Sequence, residues 1–312
     1  MADEGNWERA VLEKLAMATL KEQRAARQWG IFFKLIGLGI LLLIVAVAMG
    51  WLDGRDAVPS GKHTAVVELI GVIESEGRAS AENVIAGLQA AFKDKETQGV
   101  IVRINSPGGS PVQAGQINDE MRRLKGKYPD TPLYAVVEDV CASGGYYVAA
   151  GADKIFVDKA SMVGSIGVIL DSFGAVGAME KIGVERRVIT AGENKAFLDP
   201  FSPMSAEHRQ FAQQMLDEIH GQFIDIVKAG RGVRLKQSPE LFSGLVWNGS
   251  KSIEMGLADA LGSVDSVARD VIKAEELVDF SVKEKLTDRL ARRFGALLAN
   301  SVASVMTQSK LR

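Results

Sequence analysis

The chain has 312 residues, with 37 Lys and Arg against 39 Asp and Glu, and its formal charge of −2 argues against the broad basic face that nucleic acid binding requires. One cysteine excludes an internal disulfide framework and a cysteine-based zinc cluster, and three histidines (63, 208 and 220) are too few and too scattered for a His-rich metal site. An apolar share of 47% over this length suits one substantial globular domain joined to something membrane-related.

The first predicted element is an uncharged apolar run over 35–52. Extended back to Gly30, it takes in Ile31, Phe32 and Phe33 and one cation, Lys34, whose stem lets its ammonium snorkel to an interface. About 20 such residues cross the hydrocarbon layer, and Trp29 and Trp51 bracket the run as an aromatic belt does. A buried core helix is the ordinary alternative, but core helices are rarely apolar around the whole circumference. The reading is a single transmembrane helix, a signal anchor over 31–52, preceded by a cytoplasmic segment, 1–30. Lys21, Arg24, Arg27 and Lys34 crowd its N-terminal side, whereas only Arg55 and Lys62 lie close behind the other end. That asymmetry predicts a cytoplasmic N-terminus and a domain across the membrane. Ala46-Val47-Ala48 resembles a cleavage site, so a cleavable signal peptide competes; the length of the run and the 30 residues before it favour an uncleaved anchor.

A Gly, Asp, Pro and Ser linker follows over 53–63, and then a domain over 64–282 that alternates strand-like and helix-like stretches. Strands are expected at 64–73, 99–104, 133–137, 154–157, 165–170 and 184–189. Helices are expected at 79–92, 111–124, 144–150, 174–182 and 205–229, the last with Ser205 as N-cap and Glu207 in its first turn. This alternation predicts an α/β layered fold with buried parallel strands. Over 283–308, Leu286, Leu290, Phe294, Leu297, Leu298, Val302 and Val305 form one helical stripe flanked by Arg289, Arg292 and Arg293. It reads as an amphipathic tail helix packing on its own domain or a neighbouring subunit, with a membrane-surface helix as the sharper alternative.

Three segments carry chemistry. Ile104-Asn105-Ser106-Pro107-Gly108-Gly109-Ser110 and Cys141-Ala142-Ser143-Gly144-Gly145-Tyr146-Tyr147 each lie between a strand and a helix; Gly192-Glu193-Asn194-Lys195 precedes Pro200-Phe201-Ser202-Pro203-Met204. A serine at a strand-to-helix turn exposes its hydroxyl, and the helix start behind it offers N–H groups to a developing oxyanion. Ser-Gly-Gly is more often a cap or a packing turn, and Gly108-Gly109 alone suits a phosphate or a thioester carbonyl equally well. A Ser–His pair is poorly supported, because His208 and His220 fall within the long helix and His63 precedes the domain. A lysine serves as base if desolvation lowers its pKa from about 10.4 towards 7–8. Spacing alone does not single out Lys195.

At these motifs, over roughly residues 64 to 270, the sequence resembles the signal peptide peptidase A family and its shorter SohB-like relatives. Ile-Asn-Ser-Pro-Gly-Gly, Ala-Ser-Gly-Gly-Tyr-Tyr, Val-Gly-Ser-Ile-Gly-Val and Gly-x-x-Lys…Pro-Phe-x-Pro-Met match in order. The resemblance implies a ClpP/crotonase-like fold and a membrane-anchored bacterial serine endopeptidase with a Ser/Lys dyad. It implies Ser143 as nucleophile, Lys195 as general base, Gly144 and Gly108 N–H as the oxyanion hole (Gly109 the less favoured donor), and Ser165 as a hydroxyl supporting the lysine. It further implies no metal and no organic cofactor. Substrates would be extended apolar peptides such as released signal peptides, cleaved on the periplasmic side of the inner membrane. A homo-oligomer follows too, since in this family Ser and Lys can come from adjacent protomers. Cys141 reads as a small buried hydrophobe.

Three other functions stay open on the residues alone. One is a catalytically silent oligomeric scaffold of the same fold. Another is an acyl-CoA enzyme of the crotonase type, which would bind CoA and has no use for a membrane span. The third is a ClpP-like triad, which requires His208 or His220 to reach Ser143.

Overall fold

The computed structural model describes residues 4–48, 61–236 and 238–283. The chain divides into two compact units, the second running Val58–Val282. Among its described residues the first unit is in essence one helix, α1, Glu4–Ala48, 45 residues without a break. At 1.5 Å per residue it is about 67 Å long, roughly twice the thickness of a bilayer's hydrocarbon core. Its stretch Glu13–Ala46 is long and apolar enough to cross a membrane, with a mean hydropathy of 2.4 in its most apolar window and none of that window buried. The polar residues before the apolar run therefore continue the same helix. Trp51, Leu52, most of the expected linker and the amphipathic stripe at 284–308 lie outside the described residues.

The second unit is built on an eight-stranded sheet. Its strands are β1 His63–Ile70, β2 Thr97–Ser106, β3 Leu133–Ala142, β4 Lys154–Val157, β5 Met162–Gly164, β6 Val246–Asn248, β7 Ala260–Leu261 and β8 Leu277–Asp279. The order β6-β5-β3-β2-β1-β8 is parallel throughout except for β5 with β6. One edge of β3 is shared: Tyr134–Val136 pair with β4, which leads on to β7, and Val140–Ala142 pair with β5. The sheet thus forks along β3, and the C-terminal half of that strand is steered towards β5 and β6.

Helices α2 (Ala81–Lys93), α3 (Pro111–Lys127), α4 (Gly144–Ala149), α5 (Val176–Lys181), α6 (Ala206–Arg231) and α7 (Gly249–Glu254) connect the strands. Ser80, Ser110 and Ser205 cap α2, α3 and α6, each hydroxyl accepting the N–H three residues on, and Pro111 occupies the first turn of α3, where its missing N–H costs nothing. Strand alternation distributes the side chains. Val100, Val102 and Ile104 enter the main core with Leu88, Ile117, Met121 and Val227, while Ile101 and Val136 join Phe156, Val267 and Ala268 in a smaller cluster.

Two expected strands do not form. Residues 165–170 are irregular because Ser165 takes a φ of 52°, ending the extended run at Gly164. Residues 184–189 are β-branched but have no partner strand, and Val184, Val188 and Ile189 stand exposed. β-propensity without a neighbour to pair with does not make a strand. The expected helix at 174–182 shortens to α5.

Candidate active site

The fork of the sheet delivers Ser143. Buried Cys141 and Ala142 end β3, Gly144 starts α4, and Ser143 between them adopts φ 51° and ψ −123°, a conformation that favours glycine and strains an L-residue. Main-chain bonds on both sides hold it there. Its N–H donates to Gly164 O at 2.9 Å, and its carbonyl accepts from Tyr147 N–H at 3.0 Å. The hydroxyl does not cap α4 and has no hydrogen-bond partner among the described residues. Ser143 thus combines a costly backbone conformation with an unused hydroxyl at a helix start.

The Pro-Gly-Gly turn lies directly beside it. A Cβ on Gly108 would sit 2.7 Å from both Gly144 N and Ser143 Cβ, and one on Gly109 would collide with Ile73 O; both residues also have positive φ, 101° and 145°. No other residue type fits this approach. Gly108 and Ser110, on either side of Gly109, are tied to Ile73 by Ile73 N–H to Gly108 O and Ser110 N–H to Ile73 O, 2.8 Å each. The N–H groups of the two turn glycines differ in their surroundings. Gly108 N–H already donates to the buried Ser106 Oγ at 3.1 Å, whereas Gly109 N–H has no acceptor among the described residues and lies against Gly144. Gly109, Ser143 and Gly144 line a common cleft and Gly108 does not. Of the two turn glycines it is thus Gly109 that borders the cleft together with Gly144, whose N–H is the first of its helix and has no intrahelical acceptor.

The cleft has a volume of 110 Å³ and is otherwise apolar, walled by Tyr147, Val168, Ile169, Ile219 and Phe223. Tyr147 and Phe223 pack with centroids 5.0 Å apart. Burial, helped by the Asp119 carboxylate, pushes the Tyr147 phenol above its usual range, so this wall stays neutral. Burial also pushes the Cys141 thiol far up, which removes it as a thiolate nucleophile.

The remaining predicted residues are placed as follows. Ser165 follows β5 and is half-buried, with its N–H donated to Leu245 O at 2.7 Å. Lys195 is exposed on a turn closed by its own N–H to Gly192 O at 3.1 Å, and it does not line the Ser143 cleft. His208 Nε2 meets Asn194 Oδ1 at 3.1 Å and His220 Nε2 meets Ile166 O at 3.1 Å, so neither ring is bonded to Ser143. Sequence reasoning missed Ser106 and the cleft walls. Tyr147, one helical turn beyond Ser143, and the Ile219/Phe223 pair, one turn apart, carried a spacing signal for them.

Residues 126–278 match Peptidase family S49. A protein of Enterococcus faecium named for signal peptide peptidase SppA is 30% identical over 237 residues, covering 73% of this chain and 68% of that one. The chain belongs to peptidase family S49. Protease 4 of Haemophilus influenzae, another protein similar to it, is 31% identical over 259 residues, 78% of this chain and 41% of that protein. A Brucella melitensis protein named Na(+)/H(+) antiporter NhaA is 44% identical over 209 residues, which make up 65% of this chain but only 28% of the Brucella protein. Most of that relative thus has no counterpart in the match. The S49 match covers the last stretch of α3, the Ser143 turn and the Lys195 segment.

Proposed function

We propose that this S49 chain is a membrane-anchored serine endopeptidase in which Ser143 is the nucleophile and Lys195 the general base. The observation that carries the reading is the Ser143 hydroxyl on a strained turn, without a partner among the described residues, beside two N–H groups that have no acceptor among them. Neutral Lys195 takes the Ser143 proton as Oγ bonds to a peptide carbonyl carbon. The oxyanion is held by Gly109 and Gly144 N–H, and the amine leaves with the proton from lysine. Water, deprotonated by the same lysine, then releases the acyl group and restores the hydroxyl. Ser165, one step beyond the strand beside Ser143, is the hydroxyl that supports the lysine amine. The apolar walls of the cleft support extended apolar peptides, such as released signal peptides, as substrates.

The position of Lys195 supports a shared site. It is exposed and lies outside the cleft, and between the cleft wall Ile169 and Lys195 the chain leaves Ile169, Phe173 and Ile189 86%, 80% and 98% exposed. Apolar side chains this bare want a partner surface. A homo-oligomer would cover them, strip water from the amine and bring it to the Ser143 of a neighbouring copy. The apolar half of α1 would anchor the chain in the bacterial inner membrane, and the cation excess at Lys21, Arg24, Arg27 and Lys34 supports a cytoplasmic N-terminus with the peptidase unit on the periplasmic side.

The test is hydrolysis of an apolar peptide by the full chain in detergent. Ser143→Ala and Lys195→Ala are each expected to remove turnover; normal turnover in either variant would overturn the dyad.

A further inference from the structure

We infer that His208 is a positioning residue for Lys195, acting through Asn194 and Phe197; this rests on Lys195 being the base. The lysine sits on an exposed turn whose own bonds, Lys195 N–H to Gly192 O at 3.1 Å and Phe197 N–H to Asn194 O at 3.0 Å, fix its shape but not its place on the molecule. That place is set from α6. Asn194 precedes the lysine and accepts from His208 Nε2 through Oδ1 at 3.1 Å. Phe197 follows it and meets the same imidazole in a T-shaped contact, centroids 5.4 Å apart, with Phe211 on α6 adding a second T-shaped contact to Phe197 at 5.5 Å.

His208 is itself anchored, because its backbone N–H caps onto Ser205 Oγ at 3.0 Å in the first turn of α6. A single ring thus joins a rigid helix start to both flanks of Lys195. Further along, Asp199 is held by Arg186 Nε at 2.9 Å and Ser202 Oγ at 2.7 Å, which secures the far end of the segment. The Lys195 ammonium itself makes no hydrogen bond or ion pair among the described residues, so nothing at its own tip sets its direction. An amide oxygen only accepts, so Nε2 carries the proton in this contact, and protonating Nδ1 leaves the bond intact. His208 is a strut, and its proton takes no part in the chemistry.

A base misplaced by about an ångström can cost orders of magnitude in rate while leaving substrate binding alone. The experiment uses the full chain in detergent and measures kcat and KM on an apolar peptide for His208→Ala, His208→Gln, Asn194→Ala and the His208→Ala/Asn194→Ala double variant. His208→Ala is expected to lower kcat about tenfold or more with KM within about twofold. Gln, whose side-chain amide can still donate to Asn194, restores most of it. The double variant is no worse than His208→Ala alone, as two ends of one contact require. Should His208→Ala fail to fold, Asn194→Ala on the exposed turn removes the hydrogen-bonded half of the strut and must lower kcat with KM within about twofold. An unchanged kcat in His208→Ala, or a Gln variant as impaired as Ala, overturns the inference. If Lys195→Ala is inactive while His208→Ala is unimpaired, the dyad stands and only the strut falls; if Lys195→Ala turns over normally, the dyad itself has failed.

Discussion

Ser143 and Ser165 leave neighbouring parallel strands at the same level of the sheet, Ala142 being paired with Gly164, and both turn out of it with left-handed backbone, φ 51° and 52°. The bond from Ser143 N–H to Gly164 O locks the two exits together. Such strain at a non-glycine residue costs about 1–3 kcal/mol and persists only where the surroundings impose it. Ser143→Gly should therefore melt above Ser143→Ala by about 2–4 °C, since glycine accepts this φ and ψ while alanine does not, even after the entropic cost of the added glycine. Both variants should be inactive. Thermal melts of the purified full chain decide it, and a glycine variant melting at or below the alanine variant would remove strain from the account.

The proposed oxyanion donors give a second expectation. Gly109→Ala would drive a Cβ into Ile73 O, and Gly108→Ala would press on Gly144 N and Ser143 Cβ. Each should cost about 10²–10³ in kcat, the usual cost of losing one oxyanion donor. Ser106→Ala leaves the glycines in place but frees Gly108 N–H to turn towards the cleft. A smaller drop is expected there, about tenfold in kcat with little change in KM. Steady-state kinetics on one apolar peptide checks all three, and full activity in Gly109→Ala would rule that N–H out as a donor.

Much of this architecture is written in local pattern. The continuous apolar run Val100-Ile101-Val102 specifies a strand buried on both faces, and Ser110-Pro111 and Ser205 announce their helices by capping chemistry. The Ser143 turn is legible because a strand, a serine and two glycines occur in sequence. What escapes is what depends on distant partners. Residues 184–189 look like a strand until no neighbour is found, and β6, β7 and β8, two or three residues each, are set by the strands they join. That Gly108 N–H is already engaged turns on one hydroxyl, Ser106 Oγ, whose rotamer no spacing rule gives. The cleft walls Ile219 and Phe223 come from α6, far along the chain from Ser143.

Stability should hinge on Arg231 and Asp259. Arg231 is 1% exposed, bonded through both terminal nitrogens to Asp259 at 2.8 and 2.9 Å and through Nε to Gly256 O at 2.8 Å. Burial opposes the charge on Asp259, but the Arg231 hydrogen bonds and the Ile155 N–H outweigh it and hold its pKa below the usual aspartate value. A depressed carboxylate stabilises the fold above the unfolded-state pKa, about 3.9, and that stabilisation is lost as pH falls below it through the native value. Asp259→Ala, which strands a buried guanidinium, is expected to cost about 3–5 kcal/mol near neutral pH. The gap to wild type should narrow below about pH 4, as the wild-type carboxylate protonates. Denaturant melts across pH test this, and a gap that widens in acid would contradict the assigned sign.

A shared site makes a distinctive prediction for mixtures. Ser143→Ala and Lys195→Ala chains, each inactive alone, should regain turnover when dissociated and reassembled together, because some interfaces then pair an intact serine with an intact lysine. About a quarter of the wild-type rate is expected at equal mixing if assembly is random, and restoration should vanish if the two chains are mixed without exchange. No recovery after verified exchange would place the dyad within one chain.

The most direct measurement is covalent capture. The full chain is treated with a fluorophosphonate probe and the modified residue located by mass spectrometry, in wild type and in Lys195→Ala. The account predicts modification at Ser143 alone, lost or greatly slowed when the lysine is removed. Modification of another serine, or labelling of Ser143 at an undiminished rate without Lys195, would contradict it.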